Sequence, residues 1–359
     1  MRRALVTTTI NPPTEQLRAW LSQLKTDDVV VIVGDRKTPQ LEFVKLWEEF
    51  PDLEGYYVDV ESTEFASERV TGFNTIQRRN LGFLRVLKIQ ANGGNIDYVI
   101  TVDDDNEPGD DEWVGDVDEI MLGKSPIDWV LKGHEGWADP GELSIPRTTH
   151  RGFPLEITNT HRCRETFRVE VDKSPVGVFC SIITGDPDIS AVERLLLAPI
   201  VDAAFDATIA PRVWAPFNTQ ATAIRTELLP AMHLWLGVGR YDDIFASFVT
   251  QRIMWELGYV VRFGNPTAHQ NRNPHNLLRD LNDELFGYRN ALWITDQLSE
   301  INLSGTKNVL EMTHLIYQHF NVLRTSTTTD ITPYRMIRGM QTWLEDIRRL
   351  GYTWEGAGA

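Results

Sequence analysis

Residues 98–108 read YVITVDDDNEP. A run of apolar and β-branched residues, suited to a buried strand, drives straight into three adjacent aspartates. Neighbouring carboxylates repel, so at a strand end they need a cation or wide solvation to stay ionised together. Side chains alternate along an extended chain, which puts Asp103 and Asp105 on one side and Asp104 on the other. Carboxylate oxygens are hard ligands suited to Mg²⁺ or Mn²⁺. The stretch reads either as an Asp-x-Asp site for a metal bridging a nucleotide diphosphate, or as a solvated acidic turn. Spacing alone does not separate the two.

Upstream of this strand the chain alternates. RALVTTTI (3–10), VVVIVGD (29–35) and EGYYVDV (54–60) read as strands from their Val, Ile, Thr and Tyr content. NPPTEQLRAWLSQLK reads as a helix with Asn11 as cap and Leu17, Trp20, Leu21 and Leu24 as its apolar stripe. NTIQRRNLGFLRVLKIQ (74–90) reads as another, with Ile76, Phe83, Leu84 and Leu87 inward. Such alternation is that of a doubly wound α/β domain with a mainly parallel sheet. Ligands of these sheets bind beyond the carboxyl ends of the strands. TTTINPP, GDRKTP and DDDN should meet there, with Thr8, Asn11, Asp35 and Lys37 placed to cradle nucleoside and phosphate.

From about 105 to 215 the pattern is less regular, with DWVLKG (128–133) and VGVFCSII (176–183) as strands. YDDIFASFVTQRIMWELG (241–258) is a strong helix, YVVRFG (259–264) a strand, and the pattern beyond about 285 is helical. We expect a catalytic domain over 1–285 and a helical C-terminal extension over 286–359 packed on it.

Composition narrows the function. With 42% hydrophobic residues and eleven Trp, the chain has the means to pack a large core. A formal net charge of −16 repels nucleic acid and anionic membranes. It does not exclude an anionic small ligand, because local arginines or a metal can reverse the sign inside a cleft. No apolar run reaches membrane-span length, and the N-terminus reads as a first strand and not a signal peptide. Cys163 and Cys180 match no zinc or disulfide spacing and suit a reducing, cytoplasmic setting.

Further candidates follow from residue chemistry. Asp242 and Asp243 open the strong helix. Capping needs one aspartate, which leaves a second to face a substrate. Arg151, beside Gly152, can grip phosphate bidentately or sit in a surface loop. Arg78 and Arg79 can neutralise a diphosphate or face solvent. His269 can complete a metal site or be structural.

Taken in order, YVITVDDDN, RGFP, GRYDDIFASF and the later His resemble the reversibly glycosylated polypeptides, the UDP-arabinopyranose mutases. TTTINPP, VVVIVGDRKTP, RRNLGFL and DDDN also resemble a related glycosyltransferase-like group. The resemblance covers about residues 4–290. It implies a GT-A-like fold, a nucleotide-sugar substrate, Mn²⁺ or Mg²⁺ and no flavin. The activity it implies is pyranose–furanose isomerisation of an NDP-sugar, with the bacterial GDP-sugar mutases of antibiotic pathways nearest in character. It further implies Asp103, Asp105 and His269 as metal ligands, with Asp104 between the two aspartates. Arg151 would hold the freed sugar, covalently or electrostatically, and Asp242 and Asp243 would be the catalytic acids. Self-association into homo-oligomers is implied as well. A glycosyltransferase moving sugar from an NDP-sugar to an acceptor would use the same fold and metal site, and the residues leave both readings open.

Overall fold

The computed structural model describes residues 1–125, 129–160, 166–168, 174–271, 276–326 and 334–352. Cys163 lies outside them.

The first half runs β1 (Arg3–Thr8), α1 (Glu15–Ser22), β2 (Val29–Val33), α2 (Gln40–Glu49), β3 (Glu54–Val58) and α3 (Ser67–Thr71). It continues through α4 (Arg79–Ala91), β4 (Tyr98–Asp103), β5 (Asn106–Pro108), α5 (Trp113–Met121), β6 (Trp129–Leu131) and β7 (Ser144–Ile145). The second half runs α6 (Leu155–Thr160), β8 (Thr166–Arg168), β9 (Val176–Gly185), α7 (Ala191–Leu196), β10 (Ala203–Ala204), β11 (Ala207–Ile209) and β12 (Ala221–Arg225). It ends with α8 (Asp242–Leu257), β13 (Val260–Gln270), α9 (Leu277–Glu300), α10 (Val309–Ser326) and α11 (Tyr334–Arg349). Residue 285 lies inside α9.

One large sheet organises these elements, in the order β3-β2-β1-β4-β12-β9-β13-β11-β6-β8, with β5 paired to β13. β3, β2, β1 and β4 are parallel. β12 then enters antiparallel between β4 and β9. Helices flank the sheet and form the C-terminal portion, so the α/β class expected from the sequence is the one observed.

β2 is buried along its whole length, because helices cover both faces of the sheet there; this is why it reads as an unbroken apolar run. Leu17, Trp20 and Leu21 of α1 cover one face, with Leu5, Val30 and Ile32. Leu81, Phe83, Leu84 and Leu87 of α4 cover the other, with Val6, Val31 and Val33. Gly82 sets how closely α4 approaches. A Cβ there would stand 2.5 Å from Val6 Cγ1 and 3.0 Å from Val33 Cγ2. Thr14, not Asn11, caps α1, its hydroxyl accepting from Leu17 N at 3.1 Å. Asn11 faces the strand ends instead.

α8 is buried all round from Asp242 to Met254. It lies under the sheet, enclosed by α9 and α10, and has no solvent face. β13 runs to Gln270, beyond the expected end at Gly264, with a register shift between Gly264 and Ala268. Cys180 is buried in β9 and burial pushes its thiol up to about 12, so it behaves as a small hydrophobe.

Candidate active site

β1, β2 and β4 end side by side, and the turn after β4 carries the three aspartates between two cavities. The larger, about 380 Å³, is lined by Thr8, Thr9, Asp35, Lys37, Asn74, Thr75, Arg78 and Asp104. The smaller, about 220 Å³, is lined by Asp103, Asp105, Arg151, Asp188, Asp242, Asp243 and Gln270, with Arg79 and Arg240. β4 ends at Asp103, and the turn that follows puts Asp104 on the first cavity and Asp105, with Asp103, on the second.

In the larger cavity most polar groups hold the wall itself. The Asp35 carboxylate accepts from its neighbour Arg36 N at 2.6 Å and from Asn74 N at 2.6 Å and Thr75 N at 3.4 Å. The Arg78 guanidinium donates to the carbonyls of Gly34 at 2.8 Å and Gly72 at 3.3 Å. Burial lowers its pKa against the pull of Asp35. Asp104 accepts from the Thr9 hydroxyl and from Asn11 Nδ2 at 3.0 Å. Burial raises its pKa even so. Lys37 is exposed.

The smaller cavity is crowded with charge. Arg79, 1% exposed, donates to the Thr219 carbonyl at 2.8 Å, to Val102 O at 3.1 Å and to Asp103 Oδ1 at 2.5 Å, and to the Thr8 hydroxyl at 3.3 Å. It ties the ends of β1, β4 and β12 together. Gln270 Nε2 donates to both Asp105 oxygens at 3.2 Å. Arg240 pairs with Glu284 at 3.2 Å and Asp280 at 3.6 Å, on α9.

Arg151 is 6% exposed and all three of its nitrogens are engaged. Nε donates to Asp188 at 2.8 Å, Nη1 to Asp243 Oδ1 at 2.9 Å and to the Arg240 carbonyl, and Nη2 to Asp243 Oδ2 at 3.2 Å. Burial opposes its charge, but Asp188 and Asp243 outweigh burial and hold the guanidinium well above its ordinary value. A clamped guanidinium of this kind stays protonated and is no nucleophile. Asp243 also accepts from Thr219 N at 3.2 Å.

Asp242, beside it, is 3% exposed. Its Oδ2 accepts from Gln77 Nε2 at 2.7 Å and its Oδ1 from Asp243 N at 2.9 Å. Burial first, then the Asp243 charge, push its carboxyl up to about 7. Neither aspartate caps α8; the position before the helix is Tyr241, with no side-chain cap.

Asp103, Asp105, Arg151, Asp242 and Asp243 thus come together, as do Thr8, Asp35, Lys37, Arg78 and Asp104. Arg78 and Arg79 are buried and bound to the protein itself. His269 stands apart from the smaller cavity. It is one residue out of phase with Gln270 on β13, and its Nδ1 lies 3.1 Å from the Thr184 hydroxyl. Gln270 reaches Asp105 in its place. Among the described residues no group of three or more His, Cys, Asp or Glu is arranged to hold a metal. The donor set suits a divalent ion in part. Asp103 and Asp105 offer hard oxygens to one cavity, and Asp103 Oδ2 has no hydrogen-bond partner among the described residues.

Sequence reading missed Gln77, Asp188 and Gln270. Gln270 was hidden because Gly264-Asn265-Pro266 reads as the end of a strand. Asp188 sits in a Gly, Pro and Asp-rich turn, whose composition signals a loop and nothing more.

Residues 240–356, about a third of the chain, match the profile of the family described as STELLO glycosyltransferases. No curated protein matches the chain. Among solved structures, it is similar to glucosyl-3-phosphoglycerate synthase from Mycobacterium tuberculosis in complex with phosphoglyceric acid. The identity is 11% and the TM-score 0.40, over 85% of this chain and 82% of that one. The same enzyme with Mn²⁺, UDP-glucose and glycerol 3-phosphate gives 13% and 0.40 over the same shares. The family match is to transferases and overturns the expected isomerase class. The clamped Arg151 agrees with that correction, since it offers no nitrogen to hold a freed sugar covalently.

Proposed function

We propose that the chain is a metal-dependent GT-A-type glycosyltransferase moving a sugar from a nucleoside-diphosphate sugar to an acceptor hydroxyl. The observation that carries this reading is the three-aspartate turn that stands between two cavities. The nucleoside occupies the larger cavity, with Asp104 and Thr8 beside it and Lys37 reaching the phosphates. The sugar and acceptor meet in the smaller cavity.

Charge supports a cation there. The smaller cavity has three guanidiniums against five carboxyl groups, and every guanidinium is already paired with protein oxygens. A diphosphate would add to that negative balance. Asp103 and Asp105 would hold Mn²⁺ or Mg²⁺, which when bound supplies the positive charge that the departing diphosphate needs.

The acceptor oxygen forms a bond to the anomeric carbon as the bond from that carbon to the diphosphate oxygen breaks. The acceptor proton passes to Asp242 and the nucleoside diphosphate leaves. A carboxylate with a pKa near the working pH is well matched to this transfer. Gln77 fixes one Asp242 oxygen, and Arg151 keeps Asp243 and Asp188 in place around it.

The test is nucleoside-diphosphate release from UDP-, GDP-, CDP- and dTDP-sugars, with and without Mn²⁺, by wild type and Asp105→Ala. Release should need the metal and fall at least about 100-fold in the variant. Full activity after EDTA treatment, or no stabilisation by any of the four nucleotides with Mn²⁺, would refute the reading.

A further inference from the structure

The C-terminal helix α11 grips a distant part of the chain at two points. At one end Asp346, 2% exposed, accepts from Ala66 N at 2.7 Å and from Ser67 N at 2.8 Å. At the other, Arg335 Nη2 donates to the Thr71 carbonyl at 3.1 Å. These are the amino and carboxyl ends of α3. An anion therefore meets the start of a helical turn and a cation its finish, the arrangement the peptide dipoles favour.

α3 leads directly into the wall of the larger cavity. Gly72 follows at φ +81°, where its backbone tolerates the turn, then Phe73 and Asn74. The Arg36 guanidinium lies 3.7 Å from the centre of the Phe73 ring. Asn74 and Thr75 give their N–H groups to Asp35 and line the cavity. Among the described residues the Arg78 guanidinium, six positions on, also meets the end of α3, at the Gly72 carbonyl at 3.3 Å. The 72–75 wall is thus held from two sides: by Asp35 and Arg78 directly, and through α3 by two side chains from the far end of the sequence.

We propose that Asp346 and Arg335 are positioning residues for the donor nucleotide, acting through α3 on the Gly72–Thr75 wall. The helical C-terminal portion is on this view a working part of the donor site, not an appendage. The inference rests on the donor reading given above.

Calorimetric titration of the nucleoside diphosphate with Mn²⁺ into the full chain tests it. Asp346→Asn and Arg335→Ala should weaken binding about tenfold and raise the donor KM by the same factor, with kcat within about twofold. Arg335→Lys, which keeps a donor for the Thr71 carbonyl, should recover most of the affinity. If Asp346→Asn does not fold, the more exposed Arg335→Ala decides alone. Binding within about twofold of wild type in Arg335→Ala overturns the inference. So does a fall in melting temperature and kcat with KM unchanged, which is the mark of a merely structural role. A wild-type protein that binds none of the four nucleotides removes the donor reading and this inference with it. Wild-type binding with an unaffected Arg335→Ala removes the inference alone.

Discussion

The cavity on the Asp104 side and the cavity on the Asp103 and Asp105 side share strand ends but use charge differently. In the first, Asp35 and Arg78 are satisfied chiefly by backbone N–H and C=O groups, and the exposed Lys37 is left to meet solvent or ligand. In the second, side chains satisfy one another, and Arg151 holds two carboxylates at once. The first cavity is shaped by main chain and ready for a neutral or anionic ligand. The second is held by an ion cluster whose cations are already committed, so a diphosphate there needs positive charge from elsewhere.

That contrast is broken most severely at Arg151. Arg151→Ala leaves Asp188 and Asp243 buried without their cation. Removing one partner of a buried ion cluster costs about 3–5 kcal/mol. A urea or thermal unfolding curve should show a loss of that size. Adding Asp188→Asn and Asp243→Asn to Arg151→Ala should restore part of it, since the stranded charges are then gone. If Arg151→Ala unfolds like wild type, the cluster does not hold the second cavity together.

On the other side the matching change is small. Lys37 is exposed and supports no part of the wall, so Lys37→Ala should leave the melting temperature unchanged. It should weaken nucleoside-diphosphate binding by up to about tenfold and nucleoside binding hardly at all, as expected for one charge-assisted phosphate contact. Equal affinity for the diphosphate in variant and wild type would move the phosphates away from Lys37.

The same contrast explains what could be read in advance. The parallel half of the fold was legible because β1, β2 and β4 are enclosed by helices, and burial on both faces writes continuous apolar runs. The division of the three aspartates was legible as an outcome, Asp104 on one cavity and Asp103 and Asp105 on the other, although a turn at 104–105 and not an extended strand produces it. The second cavity was only half legible. Its members come from β4, the loop before α6, the turn before α7, the start of α8 and the end of β13, and no local pattern records that they converge. His269 and Gln270 show the limit well. They are adjacent in sequence, but which of them meets Asp105 depends on the phase of β13, and the register shift after Gly264 sets that phase. The isomerase class was inferred from a resemblance whose Arg151 is buried here in a clamp that sequence could not reveal.

The finest test of the comparison is pH, because Asp242 belongs to the second cavity alone. Its carboxyl is pushed up to about 7, by burial first and the Asp243 charge second, whereas in the unfolded chain it titrates near the ordinary value of about 4. The folded protein therefore holds a proton that the unfolded chain releases between those two values. This contribution to stability is fully present below about pH 4, shrinks as pH rises, and is gone above about 7. Catalysis runs the other way, because proton transfer to Asp242 requires the ionised form, so transfer should rise as pH passes through about 7 and then level off. Asp242→Asn, fixed in a neutral state, should lose both behaviours. Its melting temperature should match wild type near pH 4 and exceed it by a few degrees near pH 8, a small change on a chain of this size. Parallel pH profiles for variant and wild type would mean that the Asp242 carboxylate is solvated as freely as an exposed side chain, and the account of the second cavity as a closed ion cluster would fail at its most sensitive point.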